Sequence, residues 1–372
     1  MQLASLVLLV VLPAAAAATG GRDRPEHLGL PAIHPCDGAR AALGERLFRD
    51  PRLSGDGRKS CASCHDPGRA FTDGRRVARG IGGKPGSRNT LPLVNAALHT
   101  TFLWEGSGSS LERTTSGAFF NSSELGLGDR AELLARIGTD ESYVREFRKQ
   151  YPRRGAGEAV SLPHVEDALG CYVRSLAAGD SAFDRYMYQG DRAALTEAQK
   201  QGLRLFQGKL GCAACHTIGP RHASFTDDLF HPGHVAAPVM HRLPLLVRTV
   251  VATPEELLGE VVTSQPDVAA LGRFVVTRDP GDVGRFRTPS LRNVAITAPY
   301  LHDGSVETLA GIVEREVYYR GAGAERPMIL TPSQRDEVVA FLESLTSARY
   351  APPRQKPLAT EKHASLDMRG TP

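Results

Sequence analysis

The same five-residue pattern occurs twice in this chain, as Cys-Ala-Ser-Cys-His at 61–65 and as Cys-Ala-Ala-Cys-His at 212–216. Cys-x-x-Cys-His is the attachment motif of c-type haem, in which two thiols bond to one porphyrin and the adjoining histidine ligates its iron. Two such motifs in separate halves of the chain predict two covalent haems that cooperate. The residues predicted to hold them are Cys61, Cys64, His65, Cys212, Cys215 and His216.

Pairs of cysteines also build zinc sites and redox-active dithiols. Both alternatives fit poorly here, because a histidine adjoins the second cysteine in both copies and the copies lie too far apart for a compact zinc module. Cys36 and Cys171 remain outside the motifs. In an oxidising compartment they either form a disulfide or stay as two buried thiols, and the sequence leaves both open.

The first nineteen residues carry no charge and contain an apolar run, Leu6–Leu12, followed by Pro13 and a series of alanines. This pattern is typical of a signal peptide and is too short to span a membrane. A signal peptide at 1–19 predicts export to the periplasm, which covalent haem attachment also requires in bacteria. The basic residue that usually stands at the start of a signal peptide is missing. The sequence therefore leaves open a second possibility, in which the segment is not cleaved and holds the protein at the membrane.

The charges of the chain are nearly balanced, with 45 basic and 41 acidic residues and a formal net charge of +4. That charge is too small to indicate binding to nucleic acid, and it is compatible with docking of an acidic redox partner. Aromatic residues make up 6% of the chain, which holds 38 glycines and 25 prolines. This composition favours a loop-rich fold in which a large apolar cofactor replaces part of the core.

The two halves of the sequence share one layout. Residues 41–48 predict a helix before the first motif, and Thr196–Gln199 is a capping box that opens a helix before the second. An amphipathic helix closes each half, at 164–178 and after the capping residue Thr331. A helix before the haem motif and another at the end of the domain is the plan of cytochrome c.

We therefore predict a mainly α-helical protein of two cytochrome c-like domains with long loops, each binding one covalent haem c. The first domain is predicted at 20–185 and the second at 190–350, with the linker near residues 179–194. A flexible tail is predicted at 351–372.

Several segments of the chain resemble the bacterial di-haem cytochrome c peroxidases and their MauG-type relatives, including MbnH-like enzymes. The resemblance covers nearly all of 28–346 in family order and is poorest at about 217–270. It implies that the N-terminal haem reacts with hydrogen peroxide, while the C-terminal haem stores and relays electrons. The matching segments are 47–57, the first haem motif, 70–74, 88–90, Trp104, 284–293 and 298–305.

The resemblance assigns two residues to peroxide chemistry. Trp104, the only tryptophan of the chain, stands where the family has a relay between the haems. Glu124 stands where the family has a distal glutamate that moves protons during O–O cleavage. By themselves, a lone tryptophan is more often a core filler and a glutamate a surface residue. The match at Glu124 is also incomplete, because a nearby proline is missing and Thr114 replaces a distal glutamine.

The family's peroxidases block the N-terminal haem with a histidine that is released only when the other haem is reduced. This chain has Ile81 at the aligned position and no histidine between His65 and His99. The resemblance therefore implies an N-terminal haem that is five-coordinate and already open, as in the MauG-type branch.

The distal ligand of the C-terminal haem falls on a helix after His302, where peroxidases have methionine and the MauG-type branch has tyrosine. The aligned residue is Glu316, and a two-residue insertion would bring Tyr318 into register. We expect Tyr318 to be the ligand, with Glu316 as the alternative and Met328 and Met240 as outside candidates. An anionic oxygen ligand stabilises ferric iron and lowers the reduction potential, whereas methionine raises it.

Calcium enters through the resemblance alone. In the family it lies between the haems, held by an asparagine that matches Asn89 and by backbone carbonyls that match Thr297 and Pro299. Such oxygen ligands suit calcium. His302 is expected beside the second haem, at a propionate.

Three functions remain in view at this stage. The first is a periplasmic peroxidase that reduces hydrogen peroxide with electrons from a small cytochrome c or a copper protein. The second is a MauG- or MbnH-like enzyme that uses peroxide to oxidise a side chain of a partner protein. The third is an electron carrier without chemistry at either iron. The sequence leaves monomer and homodimer open.

Overall fold

The computed structural model describes residues 28–34, 36–152, 160–233, 237–321 and 328–351. The predicted signal peptide and all but the first residue of the predicted tail lie outside these ranges. The described part is mainly helical, as predicted, and contains one antiparallel pair of strands, β1 (Phe230–Pro232) and β2 (Arg285–Arg287). The helices are α1 (Gly38–Arg49), α2 (Leu111–Phe120), α3 (Arg130–Gly138), α4 (Glu141–Gln150), α5 (Leu162–Ser175), α6 (Ala182–Tyr188), α7 (Glu197–Gln207), α8 (Leu243–Ala252), α9 (Glu255–Ser264), α10 (Pro266–Ala269), α11 (Phe274–Thr277), α12 (Leu309–Gly321) and α13 (Pro332–Glu343).

In the first half, α1 crosses α5 at very close range. A Cβ atom at Gly44 would overlap the backbone oxygen of Ala168, so only glycine permits this approach. One turn later Phe48 packs against Tyr172, with ring centroids 5.0 Å apart. The predicted helices at 41–48 and 164–178 are confirmed by α1 and α5.

In the second half, α7 crosses α13 in the same way. A Cβ atom at Gly202 would overlap the backbone oxygen of Glu337, and Phe206 packs against Phe341 with centroids 5.0 Å apart. Both helices begin at predicted caps, since Thr196 and Thr331 each form a complete capping box. The repeated crossing supports the prediction of two cytochrome c-like units, each built around one motif.

The segment predicted as a linker is folded, which corrects the sequence interpretation. Its middle forms α6, which begins at a capping box between Ser181 and Asp184. Phe183 is fully buried against Phe225 and Phe341 in the core of the second half. The Gly, Asp and Arg residues around it suggested an interruption, but the cap and one buried aromatic side chain decide the local structure.

A buried ion pair ties the start of the described chain to the second half. Arg292 donates two hydrogen bonds of 2.9 Å to Asp184, and both side chains are almost completely buried. The same guanidinium donates to the carbonyl of Gly29, which also accepts from the backbone of Ala223 at 3.1 Å. Burying two charges is costly unless they are paired and hydrogen-bonded, as they are here.

Helices α8 to α11 lie between β1 and β2 and have an apolar core of their own, including Leu246, Val250, Val262 and Phe274. Most of this insertion falls where the family resemblance is poorest. The two ends of this insertion are held together by β1 and β2, since Phe230 pairs with Arg287.

A disulfide joins Cys36, just before α1, to Cys171 in α5, with Cα atoms 5.4 Å apart. Among the described helices, none has the length and apolar character needed to cross a membrane.

Candidate functional site

The first motif begins as a short 3₁₀ turn, Cys61–Ser63, capped by reciprocal hydrogen bonds between Ser60 and Ser63. Nδ1 of His65 lies 3.0 Å from the backbone oxygen of Phe71. Because a carbonyl oxygen only accepts, Nδ1 carries the proton and Nε2 keeps the lone pair that a metal needs. Burial lowers the pKa of His65, which favours the same neutral form.

The second motif repeats this geometry. Nδ1 of His216 donates to the backbone oxygen of Phe225 at 2.9 Å, and burial lowers the pKa of His216 to about 4. Phe71 and Phe225 both adopt a left-handed backbone conformation, with φ of 63° and 53°. Each histidine is also 6.4 to 6.5 Å, between ring centroids, from the phenylalanine of the helix that precedes it. Both histidines are therefore held as iron ligands would be.

A cavity of about 260 Å³ opens beside the second motif, with Cys212, Cys215 and His216 in its wall. The rest of its lining is mainly apolar and comes from α7, α12, α13 and the segment after β2. An apolar slot with two thiols and a neutral imidazole at one side suits a covalently attached porphyrin. Among the described residues, the only group of His, Cys, Asp and Glu with the dimensions of a metal site is Cys215, Asp227 and His231. It includes one cysteine of the second motif but not its partner Cys212, so the two cysteines of a motif do not meet as ligands of one metal ion.

Glu124 lies beside the first motif, in the turn that follows α2. Glu124 is partly buried, and this burial together with the negative charge of Glu105 raises the pKa of its carboxyl to about 7. Its charge in turn helps to raise the pKa values of Cys61 and Cys64, for which burial is the main cause. A carboxyl group that titrates near neutrality can both accept and return a proton at physiological pH.

Ile81 is in contact with the same turn. Its backbone nitrogen donates to the backbone oxygen of Glu124 at 2.9 Å, and its side chain lies against Gly126. Ile81, which aligns with the family's blocking histidine, is therefore next to the candidate acid–base group. The hydroxyl of Thr114 donates to the backbone oxygen of Ser110 at 2.6 Å, so it is used within α2.

Trp104 lines the cavity of the second motif, and its indole nitrogen donates to the backbone oxygen of Asn89 at 3.0 Å. Leu91, two residues along from Asn89, lines the same cavity. The backbone of Leu91 also interacts with the imidazole of His65. One short segment, held by Trp104, thus reaches from the first motif to the second.

Sequence reasoning overlooked several charged residues around Trp104. Glu105 is buried and pairs with Arg88 at 3.0 Å, although Arg88 belongs to a recognised family segment. On the other side, Arg287 donates to the backbone oxygen of Leu103 at 3.2 Å and to Asp228 at 3.1 Å. From the sequence, the only sign of the ion pair between Glu105 and Arg88 was an acidic residue next to the tryptophan. Nothing in the sequence pointed to Asp228.

The expected distal ligand of the second haem is corrected by the structure. The side chain of Tyr318 is 68% exposed and is not part of the cavity lining. Helix α12 runs without interruption from Leu309 to Gly321, so no insertion brings Tyr318 into register. Met328 and Met240 are also absent from the lining. In the last turns of α12, the residues that line the cavity are spaced three or four positions apart, as one face of a helix requires. They are Val313, Glu316, Val317 and Arg320.

The residues expected to hold calcium lie together. Asn89, Thr297 and Pro299 all line the cavity of the second motif. The side-chain nitrogen of Asn89 donates to the backbone oxygen of Arg75 at 2.9 Å, which leaves its amide oxygen as the acceptor. His302 is buried in the same wall, stacked on Phe286 with ring centroids 4.3 Å apart. Burial and the charge of Arg88 lower its pKa, so it is neutral.

Residues 38–193 match the family described as di-haem cytochrome c peroxidase. The chain is 32% identical over 379 residues to the cytochrome-c peroxidase IdrP1 of Pseudomonas sp. (strain SCT), covering 93% of this chain and 92% of that protein. It is 33% identical over 330 residues to the methylamine utilization protein MauG of Methylorubrum extorquens, covering 87% of this chain and 82% of that protein.

The fold is similar to the crystal structure of a MauG-like protein associated with microbial copper homeostasis. The two superpose with a TM-score of 0.67 at 30% sequence identity, covering 88% of this chain and 98% of that chain.

Proposed function

Because the chain belongs to the di-haem cytochrome c peroxidase family, and is therefore an oxidoreductase, we propose that it reduces hydrogen peroxide in the periplasm at a site formed by its first motif and Glu124. The observation that carries this proposal is the position of Glu124 beside Cys61 and Cys64, where partial burial and the charge of Glu105 raise the pKa of its carboxyl to about 7. A fully exposed glutamate would keep a pKa close to its ordinary value of 4.5.

Two covalent haem c groups are proposed, one at each motif. Cys61 and Cys64 hold the first and Cys212 and Cys215 the second, while Nε2 of His65 and of His216 is free for iron. When bound, haem iron supplies the coordination site for peroxide and the electrons that cleave its O–O bond. The protein supplies orientation and proton transfer.

Glu124 performs the proton transfer. As a carboxylate it would accept a proton from one oxygen of hydrogen peroxide, and as a carboxylic acid it would return that proton to the other oxygen, which leaves as water. Partial burial limits the access of water to this carboxyl, and the negative charge of Glu105 keeps it protonated over more of the pH range.

Trp104 is proposed to pass electrons from the second motif to the first. It lines the second cavity, and its hydrogen bond to Asn89 fixes it to the segment that reaches His65. Because the acceptor of its N–H is a backbone carbonyl and not a base, the indole keeps its proton when it gives up an electron.

Two further assignments concern the second motif. We propose that Glu316, in place of Tyr318, would supply an oxygen ligand to the iron of the haem held at the second motif, because it is the α12 residue lining this cavity that carries a carboxylate. We also propose a calcium ion held by Asn89 and by the backbone carbonyls of Thr297 and Pro299.

One observation favours a second candidate function, the oxidation of a side chain on a partner protein. Ile81 cannot block the first site, so peroxide would meet an open site without prior reduction, and the oxidising equivalents would be free for slower protein chemistry. In the first function the reductant is a small cytochrome c or a cupredoxin. The raised pKa of Glu124 beside the first motif does not support the third alternative, an electron carrier without chemistry at either iron.

The experiment that tests the proposal adds peroxide to the purified ferric holoprotein. Reaction without prior reduction is expected, followed by rapid turnover with a reduced small cytochrome or cupredoxin. A reactive state that persists and is not discharged by such donors would favour the partner-protein function. A lack of any reaction until the second haem is reduced would contradict the open first site.

A further inference from the structure

The last turn of α9 lies on the two loops that flank the candidate peroxide site. This helix belongs to the inserted helices of the second half, yet it contacts the loop before Ser87 and the turn that carries Glu124. Hydrogen bonds between four pairs of residues join them, over separations of more than a hundred residues. Their partners are Ser87–Val262, Ser87–Thr263, Asn121–Thr263 and Ser122–Glu260.

Asn121 organises the turn of Glu124. Its backbone oxygen accepts from the amides of Glu124 at 3.0 Å and Gly126 at 2.9 Å. Its side-chain oxygen accepts from the amide of Ser123 at 2.9 Å, which leaves its side-chain nitrogen as a donor. That nitrogen donates to the hydroxyl oxygen of Thr263 at 2.9 Å. Thr263 therefore completes the hydrogen bonding of the side chain that shapes the turn.

The second loop is held from the same turn of α9. The amide of Ser87 donates to the backbone oxygen of Thr263 at 2.9 Å, and its hydroxyl donates to Val262. Six residues earlier in this loop, the backbone amide of Ile81 donates to the backbone oxygen of Glu124 at 2.9 Å. The loop with Ile81 and the turn with Glu124 are thus joined to each other and to one helix end.

We propose that the end of α9 is a clasp that positions Glu124 from the second half of the chain, with the hydroxyl of Thr263 as its central contact. Thr263 does not touch peroxide and is a positioning residue that acts through Asn121. The inference rests on the proposed role of Glu124 in peroxide reduction. It adds that the N-terminal reaction site is incomplete without the C-terminal half.

Loss of the Thr263 hydroxyl leaves a partly buried donor on Asn121 without a partner, which is costly enough to shift the turn. Glu124 then moves relative to bound peroxide, and water gains access to its carboxyl. Poor alignment lowers kcat more than it raises KM, because binding of so small a substrate depends little on the turn. Hydration of the carboxyl, together with any change in its distance from Glu105, Cys61 and Cys64, brings its pKa closer to that of an ordinary glutamate.

The test compares Thr263→Val, which keeps the shape and removes the hydroxyl, with Thr263→Ser, which keeps the hydroxyl. Thr249→Val in α8 is the matched control, since the hydroxyl of Thr249 bonds only to the backbone of its own helix, at 3.1 Å. In the holoenzyme we expect Thr263→Val to lower kcat for peroxide about tenfold and to shift the pH profile downward. Thr263→Ser and Thr249→Val should behave as wild type.

Wild-type kcat and pH profile in Thr263→Val would overturn the proposal, and so would equal losses in Thr263→Val and Thr249→Val. Hydrogen exchange of the holoprotein separates this inference from the proposed function. Faster exchange of the Glu124 and Gly126 amides in Thr263→Val supports the clasp even if Glu124→Gln stays active, and in that case only the catalytic role is lost. Unchanged exchange contradicts the clasp.

Discussion

The indole nitrogen of Trp104 lies 3.0 Å from the backbone oxygen of Asn89, and this hydrogen bond fixes the tryptophan to the segment that runs between the two motifs. Trp104 faces the cavity of the second motif, whereas the backbone that begins at Asn89 continues to Leu91, beside His65. An electron that crosses between the motifs has an aromatic side chain and a short stretch of backbone along its way.

Trp104→Phe should interrupt this relay, because phenylalanine has no N–H donor and is much harder to oxidise. We expect donor-driven turnover to fall about tenfold or more, equivalent to about 1.4 kcal/mol in the barrier. Stopped-flow spectroscopy should still show the first reaction with peroxide, while oxidation of the second haem becomes slow. Unchanged rates of both phases would exclude Trp104 from the relay.

Glu124→Gln should lower kcat/KM for peroxide by about 10²- to 10⁴-fold, the usual contribution of a general acid–base group. In the wild type the activity should rise as pH increases through about 7, because the carboxylate form must accept the first proton. The variant should lack this step. Glu141→Gln, at an exposed position of α4, is the control and should keep the wild-type profile.

The same carboxyl predicts a dependence of stability on pH. Its pKa is raised from 4.5 to about 7 in the folded state, so its contribution to stability is complete below about 4.5 and is lost as pH rises through about 7. Glutamine is neutral throughout. Glu124→Gln should therefore gain thermal stability relative to wild type at pH 8 compared with pH 4, and an equal difference at both values would show that the carboxyl is not buried.

Glu316→Met should raise the reduction potential of the second haem, since methionine favours ferrous iron and an anionic oxygen favours ferric iron. Redox titration followed by visible spectroscopy measures this directly. Tyr318→Phe is the control and should leave both potential and spectrum unchanged, because Tyr318 faces solvent. If the potential and the spectrum changed in Tyr318→Phe and not in Glu316→Met, the ligand would be Tyr318 and not Glu316.

Gly44→Ala and Gly202→Ala should each lower the free energy of unfolding by about 1–3 kcal/mol or more, because the new methyl group overlaps a backbone oxygen of the crossing helix. Gly117, inside α2, has no atom near the position of a Cβ. Gly117→Ala should therefore stabilise the protein by about 0.5–1 kcal/mol. Denaturant titration of the holoprotein measures all three. Similar effects at the three sites would contradict the close crossings.

The features that the sequence predicted correctly are mostly local. The caps at Thr196 and Thr331 form as expected because a capping box depends only on residues three positions apart. The same kind of signal, Ser181 with Asp184, was present in the supposed linker and was outweighed by the nearby Gly, Asp and Arg residues. The expectation for Tyr318 failed because it assumed an insertion, whereas the helical period that includes Val313 and Val317 places Glu316 in the cavity lining.

Other features depend on contacts that no local pattern announces. Thr263 looks like an ordinary residue near the end of a helix, and its importance arises only from Asn121, far away in the sequence. Asp228 likewise joins the two halves of the chain, because it forms hydrogen bonds with His99 from the first half and Arg287 from the second. Such pairs are brought together by packing of complete helices and loops.

Gly29 precedes nearly all of its partners in the order of synthesis. Its carbonyl is held by Ala223 and by Arg292, the latter 263 residues further along the chain. Contacts across such separations form late, because the entropy of closing the loop must be lost before the contact contributes. The stretch around Gly29 therefore cannot complete these contacts until the chain has been made beyond both motifs and β2, so one of the first described segments depends on one of the last.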